Sequence, residues 1–218
     1  MSEYDTAKKG QQMKITIGGH EYESGKITRE KYRSFCETYE NFLNKEKNDL
    51  IFSDEDLDEM LRSIVKVYGD QFTFGEAEEE LDEIADIILN FSMINAEILN
   101  KSELQAKKCA ESGNANVIRI AGKEYSSGKI GRKKYKIFRE YFEKLSGKEK
   151  MTYTDGELDE MIQCIVRMYD DQFTFEEANA ELQDVSEIIF NFGLINASIL
   201  KKAQDNAETA KKNLTALV

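Results

Sequence analysis

Apolar and polar residues alternate close to the start of the chain, where Ile15 and Ile17 are separated from Tyr22 by a Gly-Gly pair. A period of two is typical of a β-strand, and paired glycines between two alternating segments indicate a tight hairpin turn. The segment from Ile118 to Tyr125 has the same alternation, around Ala121 and Gly122. The sequence therefore predicts a short β-hairpin at each of these two places.

Helical patterns follow each hairpin, with apolar residues spaced three and four positions apart. The second pattern begins at Ser53 or Thr154, and each of these residues has an acidic residue three positions later, as in a capping box. The third begins at Thr73 or Thr174 and is the longest. We therefore predict a mainly α (α+β) protein, in which each unit is a short N-terminal β-hairpin followed by about three helices, the last one long.

The two sets of elements lie in two similar sequences. ITIGGHEYESGKITREKY aligns with IRIAGKEYSSGKIGRKKY, and YGDQFTFGEAEEEL aligns with YDDQFTFEEANAEL. More than half of the paired positions are identical, which indicates two homologous domains and not a short-period solenoid. We predict an acidic domain 1 at residues 1–105, a linker at 106–117 and a domain 2 at 118–218 with a helical C-terminal tail.

The long third helix has a wide apolar face. Burial of an Ile or Phe side chain contributes about 1.5–3 kcal/mol, so the bare face would be unfavourable in water. It must be covered by its own domain, by the other copy or by a partner protein. The candidate partner-contact residues combine this face with two aromatic residues beside the helix cap. They are Phe72, Phe74, Ile87, Phe91 and Ile94 in domain 1, and Phe173, Phe175, Ile188, Phe192 and Ile195 in domain 2. Alternatively, Phe72 and Phe173 pack onto the first helical turn as hydrophobic staples.

Composition narrows the class of protein. The 218 residues include 12 Phe, 10 Tyr and no Pro, which favours a folded, helical chain. The net charge of -12 opposes binding to a nucleic-acid backbone. Because no segment resembles a signal peptide or a membrane span, we expect a cytoplasmic protein. The three cysteines lack CxxC spacing, so we expect reduced thiols.

Charge differs between the two copies. Residues 14–101 contain 21 acidic and 10 basic residues, whereas residues 118–202 contain 15 and 14. We predict a polar, head-to-tail association of the copies, within one chain or between chains. The residues proposed for this contact are Glu78, Glu79 and Glu80 of domain 1 and Lys133, Lys134 and Lys136 of domain 2.

Residues suited to catalysis are few. The one histidine, His20, aligns with Lys123, so the two copies do not share an imidazole base. The acidic cluster that begins at Asp54 lacks the glycine of a calcium loop, and the glycines near residue 18 lack a phosphate-binding motif. We predict no catalytic, cofactor-binding or metal-binding residues, and therefore a non-enzymatic protein that binds another protein.

A hairpin such as ITIGGHEYESGKIT, an aromatic helix, a DEDLDEM helix and VYGDQFTF before an acidic helix follow one another. This order resembles the tail assembly chaperones of phages that infect Gram-positive bacteria, over nearly the whole of each copy. The resemblance implies a chaperone that binds the hydrophobic helices of a tape measure protein during tail morphogenesis, in the host cytoplasm. The family commonly has one domain with a frameshifted extension, and this chain has two. The alternative is an acidic phage or prophage protein that binds and blocks a host factor, as an anti-defence protein or a DNA mimic.

Overall fold

The computed structural model describes residues 13–48, 50–111, 117–146 and 152–215. In the N-terminal half (residues 13–111), strands β1 (Lys14–Ile17) and β2 (His20–Glu23) precede helices α1 (Arg29–Lys47), α2 (Asp54–Val67), α3 (Phe74–Glu80) and α4 (Ile84–Glu111). In the C-terminal half (residues 117–215), strands β3 (Val117–Ile120) and β4 (Lys123–Ser126) precede helices α5 (Arg132–Ser146), α6 (Asp155–Met168), α7 (Phe175–Glu181) and α8 (Val185–Thr215). The predicted mainly α (α+β) fold is confirmed. Helix α4 includes residues 106–111, which the sequence analysis placed in the linker.

Each hairpin is a two-stranded antiparallel sheet with a two-residue turn. Ile15 lies opposite Tyr22, and the turn residues Gly18 and Gly19 have φ angles of 58° and 75°. Both angles lie in the left-handed region, which glycine enters without a steric penalty. In the second turn, Ala121 occupies this region with φ 49°. A hairpin at both predicted positions is thus confirmed.

Capping boxes mark the starts of four helices, including the two predicted at Ser53 and Thr154. In each box a Ser or Thr hydroxyl accepts a hydrogen bond from the amide three residues later, and the acidic side chain accepts one from the cap amide. These bonds satisfy amide groups that have no partner inside the helix. The pairs are Ser53 with Asp56, Thr73 with Glu76, Thr154 with Glu157 and Thr174 with Glu177.

Where the sequence predicts one long third helix, the structure has two helices in each half. Helix α3 ends at Glu80, and α4 begins at Ile84. In the C-terminal half, Asp184 starts α8 because its Oδ1 accepts from the Ser186 amide at 2.9 Å and from the Ser186 hydroxyl at 2.6 Å. The break leaves Ile84 59% exposed, although it keeps a helical spacing with Ala77 and Leu81.

Aromatic side chains form the centre of each half. The ring of Phe91 on α4 lies 5.2 Å from Phe35, 5.9 Å from Tyr39 and 5.7 Å from Phe42, all on α1. In the C-terminal half, Phe192 of α8 makes similar contacts with the aromatic residues of α5. Each long helix therefore presents one aromatic residue to the first helix of its own half.

The most extensive packing between elements joins the halves, through α4 and α8. Ser102 Oγ donates to the Ser186 carbonyl oxygen at 3.2 Å, and Ala106 lies beside Gly193. Ala106, Cys109 and Ala110 of α4 form a buried cluster with Phe190 and Leu194 of α8. The residue numbers of the contacting pairs rise along both helices, from Ser102 and Ser186 to Ala106 and Gly193. Helices α4 and α8 therefore run in the same direction at this contact.

Polar contacts reinforce the packing of the two halves. The Arg29 guanidinium lies 2.7 Å from Asp159 Oδ1, and Arg33 pairs with Asp155. The Val185 amide donates to the Ile27 carbonyl oxygen at 2.9 Å. These groups connect the start of α1 with the starts of α6 and α8.

One cap contains a nearly buried ion pair. Asp56 pairs with Lys45 and accepts from the Ser53 amide at 2.7 Å and the Ser53 hydroxyl at 2.6 Å. The hydrogen bonds from Lys45 and Ser53 hold the pKa of Asp56 well below its usual range. A carboxylate with a lowered folded-state pKa stabilises the fold above its unfolded pKa, near 4, and loses that contribution as the pH falls.

Asp56→Asn should therefore lower the free energy of unfolding at pH 7 by about 1–3 kcal/mol. The deficit relative to the unchanged protein should shrink between about pH 5 and pH 2, because protonation removes the same interaction from the unchanged protein. Urea unfolding followed by circular dichroism measures both effects. Glu76→Gln is the control, since glutamine can accept the same cap hydrogen bond. A deficit that stays constant with pH would contradict the assigned role of the Asp56 carboxylate.

Candidate functional site

An apolar groove lies where α4 crosses α8 beside α5 and α6. Its volume is about 640 Å³. The residues that α4 and α8 contribute are spaced three or four apart, so one face of each helix forms a wall. The larger apolar side chains of the groove are those of Leu99, Phe142, Leu145, Tyr153, Met161, Ile189, Phe192 and Leu200. Two sides of the groove thus come from different halves of the chain.

One position that lines the groove holds different residues in the two halves. In the N-terminal half, Phe42 packs against Phe91 at 5.7 Å and against Phe52 at 5.5 Å. Leu145 is the aligned residue in the C-terminal half, and it lines the groove. Leucine has a smaller side chain than phenylalanine. Leu99 of the other half lines the same groove.

Charged residues surround the apolar part of the groove. Glu103, Lys107 and Glu111 lie on α4, and Lys201 lies on α8. Leu200, on the same helix, is 54% exposed. An apolar centre with charges of both signs at its edge is the arrangement that protein interfaces commonly have. The groove is suited to binding an apolar segment of another protein.

The structure places most of the predicted partner-contact residues in the core. The buried ones are Phe72, Ile87, Phe91, Ile94, Phe173, Ile188, Phe192 and Ile195. Phe74 and Phe175 are half-buried, and the Arg62 guanidinium lies 4.5 Å from the centre of the Phe74 ring. Of the ten, Phe192 lines the groove. A role for these ten residues in partner binding stays a prediction.

Phe72 and Phe173 have the same surroundings in the two halves. The ring of Phe72 lies 5.1 Å from that of Tyr22 and 5.9 Å from that of Tyr68. Phe173 lies 5.1 Å from Tyr125 of the second hairpin. Both residues therefore attach a hairpin to the start of a short helix.

Three of the six residues predicted for a charge contact between the copies have polar partners within their own half. Lys134 Nζ lies 2.7 Å from Asp170, and Lys136 lies 4.0 Å from Glu140. Glu80 accepts a hydrogen bond from the Gly18 amide at 2.9 Å. In the described ion pairs between the halves, the N-terminal half supplies the arginines and the C-terminal half the aspartates. A contact of Glu78, Glu79 and Glu80 with Lys133, Lys134 and Lys136 between chains stays a prediction.

The groove residues Leu99, Phe142, Leu145 and Leu200 were not among the predicted contacts. Leu99 and Leu200 widen the apolar face of the long helices, and this was the available signal. The sequence of one copy alone does not indicate that α4 contributes to a groove in the other half.

A second cavity, of about 270 Å³, lies between the halves beside Tyr32, Cys36 and Tyr153. Burial raises the pKa of the Cys36 thiol to about 12, and burial likewise raises that of Cys164 to about 12. At neutral pH both are thiols, and the thiolate is the nucleophilic form of cysteine. All three cysteines lie in the described residues, and none forms a disulfide.

Metal-binding clusters and membrane-spanning helices are absent from the part of the chain that the structure describes. In this part of the chain, no group of three or more His, Cys, Asp or Glu side chains is placed to hold a metal ion. Among the described helices, none has both the length and the hydrophobicity needed to span a bilayer.

Comparison with known families bears on the C-terminal half. Residues 120–214, a little under half of the chain, match a family described as phage tail chaperone protein. The matched segment runs from the end of β3 almost to the end of α8 and contains most of the groove residues. No curated protein and no solved structure matches the chain. The match supports the resemblance to phage tail chaperones.

Substitutions at Gly193 test how closely α4 and α8 approach each other. A Cβ at this position would lie 3.5 Å from the Ala106 Cβ, which is ordinary contact. Gly193→Ala should therefore raise the free energy of unfolding by about 0.5–1 kcal/mol through helix propensity. Gly193→Leu should lower it by about 1–3 kcal/mol because the larger side chain separates the helices.

Urea unfolding measures both variants. The control is Gly156→Leu in α6, where an added Cβ has nothing within 4 Å. If Gly193→Leu were as stable as Gly193→Ala, the two helices would not approach each other closely at this position.

Proposed function

We propose that this chain is a phage tail assembly chaperone, and that its groove binds the hydrophobic helices of a tape measure protein during tail morphogenesis in the host cytoplasm. The observation that carries the proposal is the family match over residues 120–214, the segment that supplies α5, α6 and α8 to the groove. The match favours a chaperone over the host-factor alternative suggested by the acidic composition.

The shape and chemistry of the groove support a helical client. An amphipathic helix binds by placing its apolar face in a hydrophobic groove. The exposed Leu200 and half-buried Leu99 and Phe142 offer apolar surface on three different helices. Covering this surface with a client removes apolar area from water on both partners.

The charge of the chain supports a role in keeping a client soluble. A net charge of -12 opposes association of the chaperone surface with other acidic surfaces. Charged residues of both signs at the groove edge can meet the polar positions that flank an apolar helix stripe. A chaperone of this kind binds apolar helices without itself precipitating.

The arrangement of the halves fits an origin by duplication. We infer that domain 1, predicted at residues 1–105, and domain 2, predicted at 118–218, are copies of one domain. Each described half has two strands and four helices in the same order. The contact between α4 and α8 then creates, between two copies, a groove to which both contribute.

The variant Leu200→Glu tests whether the groove binds the client. Co-expression of the full chain with a long apolar helical segment of a tape measure protein should raise the soluble yield of that segment. Leu200→Glu should weaken binding about tenfold or more, because it replaces an apolar contact with a charge. Co-purification and titration calorimetry measure the change.

Leu50→Glu is the matched control. Leu50 is 53% exposed, as Leu200 is at 54%, but it lies outside the groove. It should leave client binding unchanged. An equal loss of binding in both variants would show that the groove does not hold the client. Failure of the unchanged chain to alter the soluble yield would contradict the chaperone function itself.

A further inference from the structure

We propose that the cavity between the halves holds an arginine side chain of the tape measure client, beside the groove that holds the client's apolar helix. The inference rests on the proposed chaperone function and adds a charged contact to it. Tyr153 lines both the cavity and the groove, so residues that flank an apolar helix in the groove lie next to the cavity.

The two halves form this cavity together. Helix α1 supplies Tyr32, Cys36 and Glu37, and the segment before α6 supplies Tyr153. The volume of about 270 Å³ is several times the roughly 30 Å³ that one water molecule occupies in the liquid, so the end of a long side chain fits. Tyr32 is buried, whereas Glu37 is exposed. The cavity therefore has an aromatic interior and an acidic mouth.

Negative charge exceeds positive charge around the cavity. Among the described residues that line it, carboxylates belong to Glu37, Glu40 and Asp155, and Arg33 carries the one guanidinium. Arg33 pairs with Asp155. Burial is the main cause of the raised pKa of the Cys36 thiol, and the negative charges of Glu40, Asp155 and Glu37 raise it further. The surplus of negative charge favours a cationic group in the cavity.

The aligned helix of the C-terminal half shows where a guanidinium lies beside such an acid. Cys36 of α1 aligns with Arg139 of α5, and Glu40 aligns with Glu143. Arg139 Nε lies 3.2 Å from Glu143 Oε1. At the same position α1 has the shorter, uncharged Cys36 side chain, and the cavity lies beside it. An arginine from the client would thus supply to α1 the group that α5 contains in its own sequence.

A second base of this helix has a different partner in the two halves. Lys136 of α5 lies 4.0 Å from Glu140 on the same helix. The aligned residues of α1 are Arg33 and Glu37. Arg33 pairs with Asp155 of the other half. The contact between the halves therefore uses the base that α5 places beside its own acid.

The chemistry of the cavity suits arginine better than lysine. A guanidinium is planar, stacks on aromatic rings and donates two parallel hydrogen bonds to a carboxylate. Tyr32 and Tyr153 supply the rings, and Glu37 and Glu40 supply the carboxylates. The ammonium of lysine is more strongly hydrated, so it loses more on leaving water.

The test is titration calorimetry of the full chain with the apolar helical segment of a tape measure protein, at low and high salt. Glu37→Gln should weaken binding about threefold to tenfold and make the affinity less dependent on salt, because it removes a charge-assisted contact. The matched control is Glu46→Gln, which changes the net charge equally. Glu46 is exposed on α1 and lies outside the cavity, so client binding should stay unchanged.

A second variant fills the cavity from within. Cys36→Arg places a guanidinium where α5 has that of Arg139, so it should weaken client binding as Glu37→Gln does. Cys36→Ser keeps the space and should bind the client as the unchanged chain does. Urea unfolding checks that each variant is folded, and Glu37→Gln remains decisive if Cys36→Arg is not.

Changing each arginine of the client segment to glutamine in turn identifies the contact. One of these changes should weaken binding to the unchanged chain and have little effect on binding to Glu37→Gln, because the two groups act as a pair. If no arginine is coupled to Glu37 in this way, the inference is overturned. Equal affinities of the unchanged chain and Glu37→Gln, with binding still weakened by Leu200→Glu, would overturn the inference and leave the chaperone function standing. No binding of the segment to the unchanged chain would overturn both.

Discussion

The packing of α4 on α8 is the contact on which the rest of the structure depends. Ala106 and Gly193 have little or no side chain, so the two helix backbones approach closely, and Phe190 and Leu194 are buried beside them. Without this contact, the apolar face at the start of α8 would be exposed in the way that Leu89 and Met93 are on α4. The groove would also lose the wall that contains Leu99. One helix pair thus contributes both a buried cluster and a wall of the candidate site.

Much of the fold could be predicted because its signals are local. The hairpins depend on alternating residues around a tight turn, and the capping boxes on a hydroxyl and a carboxylate three positions apart. The break between α3 and α4 was missed because Ala77, Leu81 and Ile84 keep a helical spacing across it. The structure shows that Leu81 is buried and Ile84 is exposed there, a difference that depends on neighbouring elements.

The candidate site was less predictable, for a related physical reason. Spacing shows that Phe91 and Ile94 lie on an apolar face, but it does not show whether a domain core or another protein covers that face. In the structure, α1 covers Phe91. The residues that line the groove, such as Leu145 and Leu200, become distinct only when the two halves are compared in three dimensions. The difference between Phe42 and its aligned residue Leu145 can be recognised only when the two copies are compared.

The α4–α8 contact has a further consequence because both helices belong to one polypeptide. Two separate single-domain proteins would have to meet by diffusion to form this helix pair, and dilution would separate them. Covalent connection makes the encounter intramolecular, so its equilibrium is set by an effective concentration and not by the amount of protein in the cell. The two-half unit, with the groove between its halves, should therefore persist when only a few molecules are present, as at the onset of synthesis.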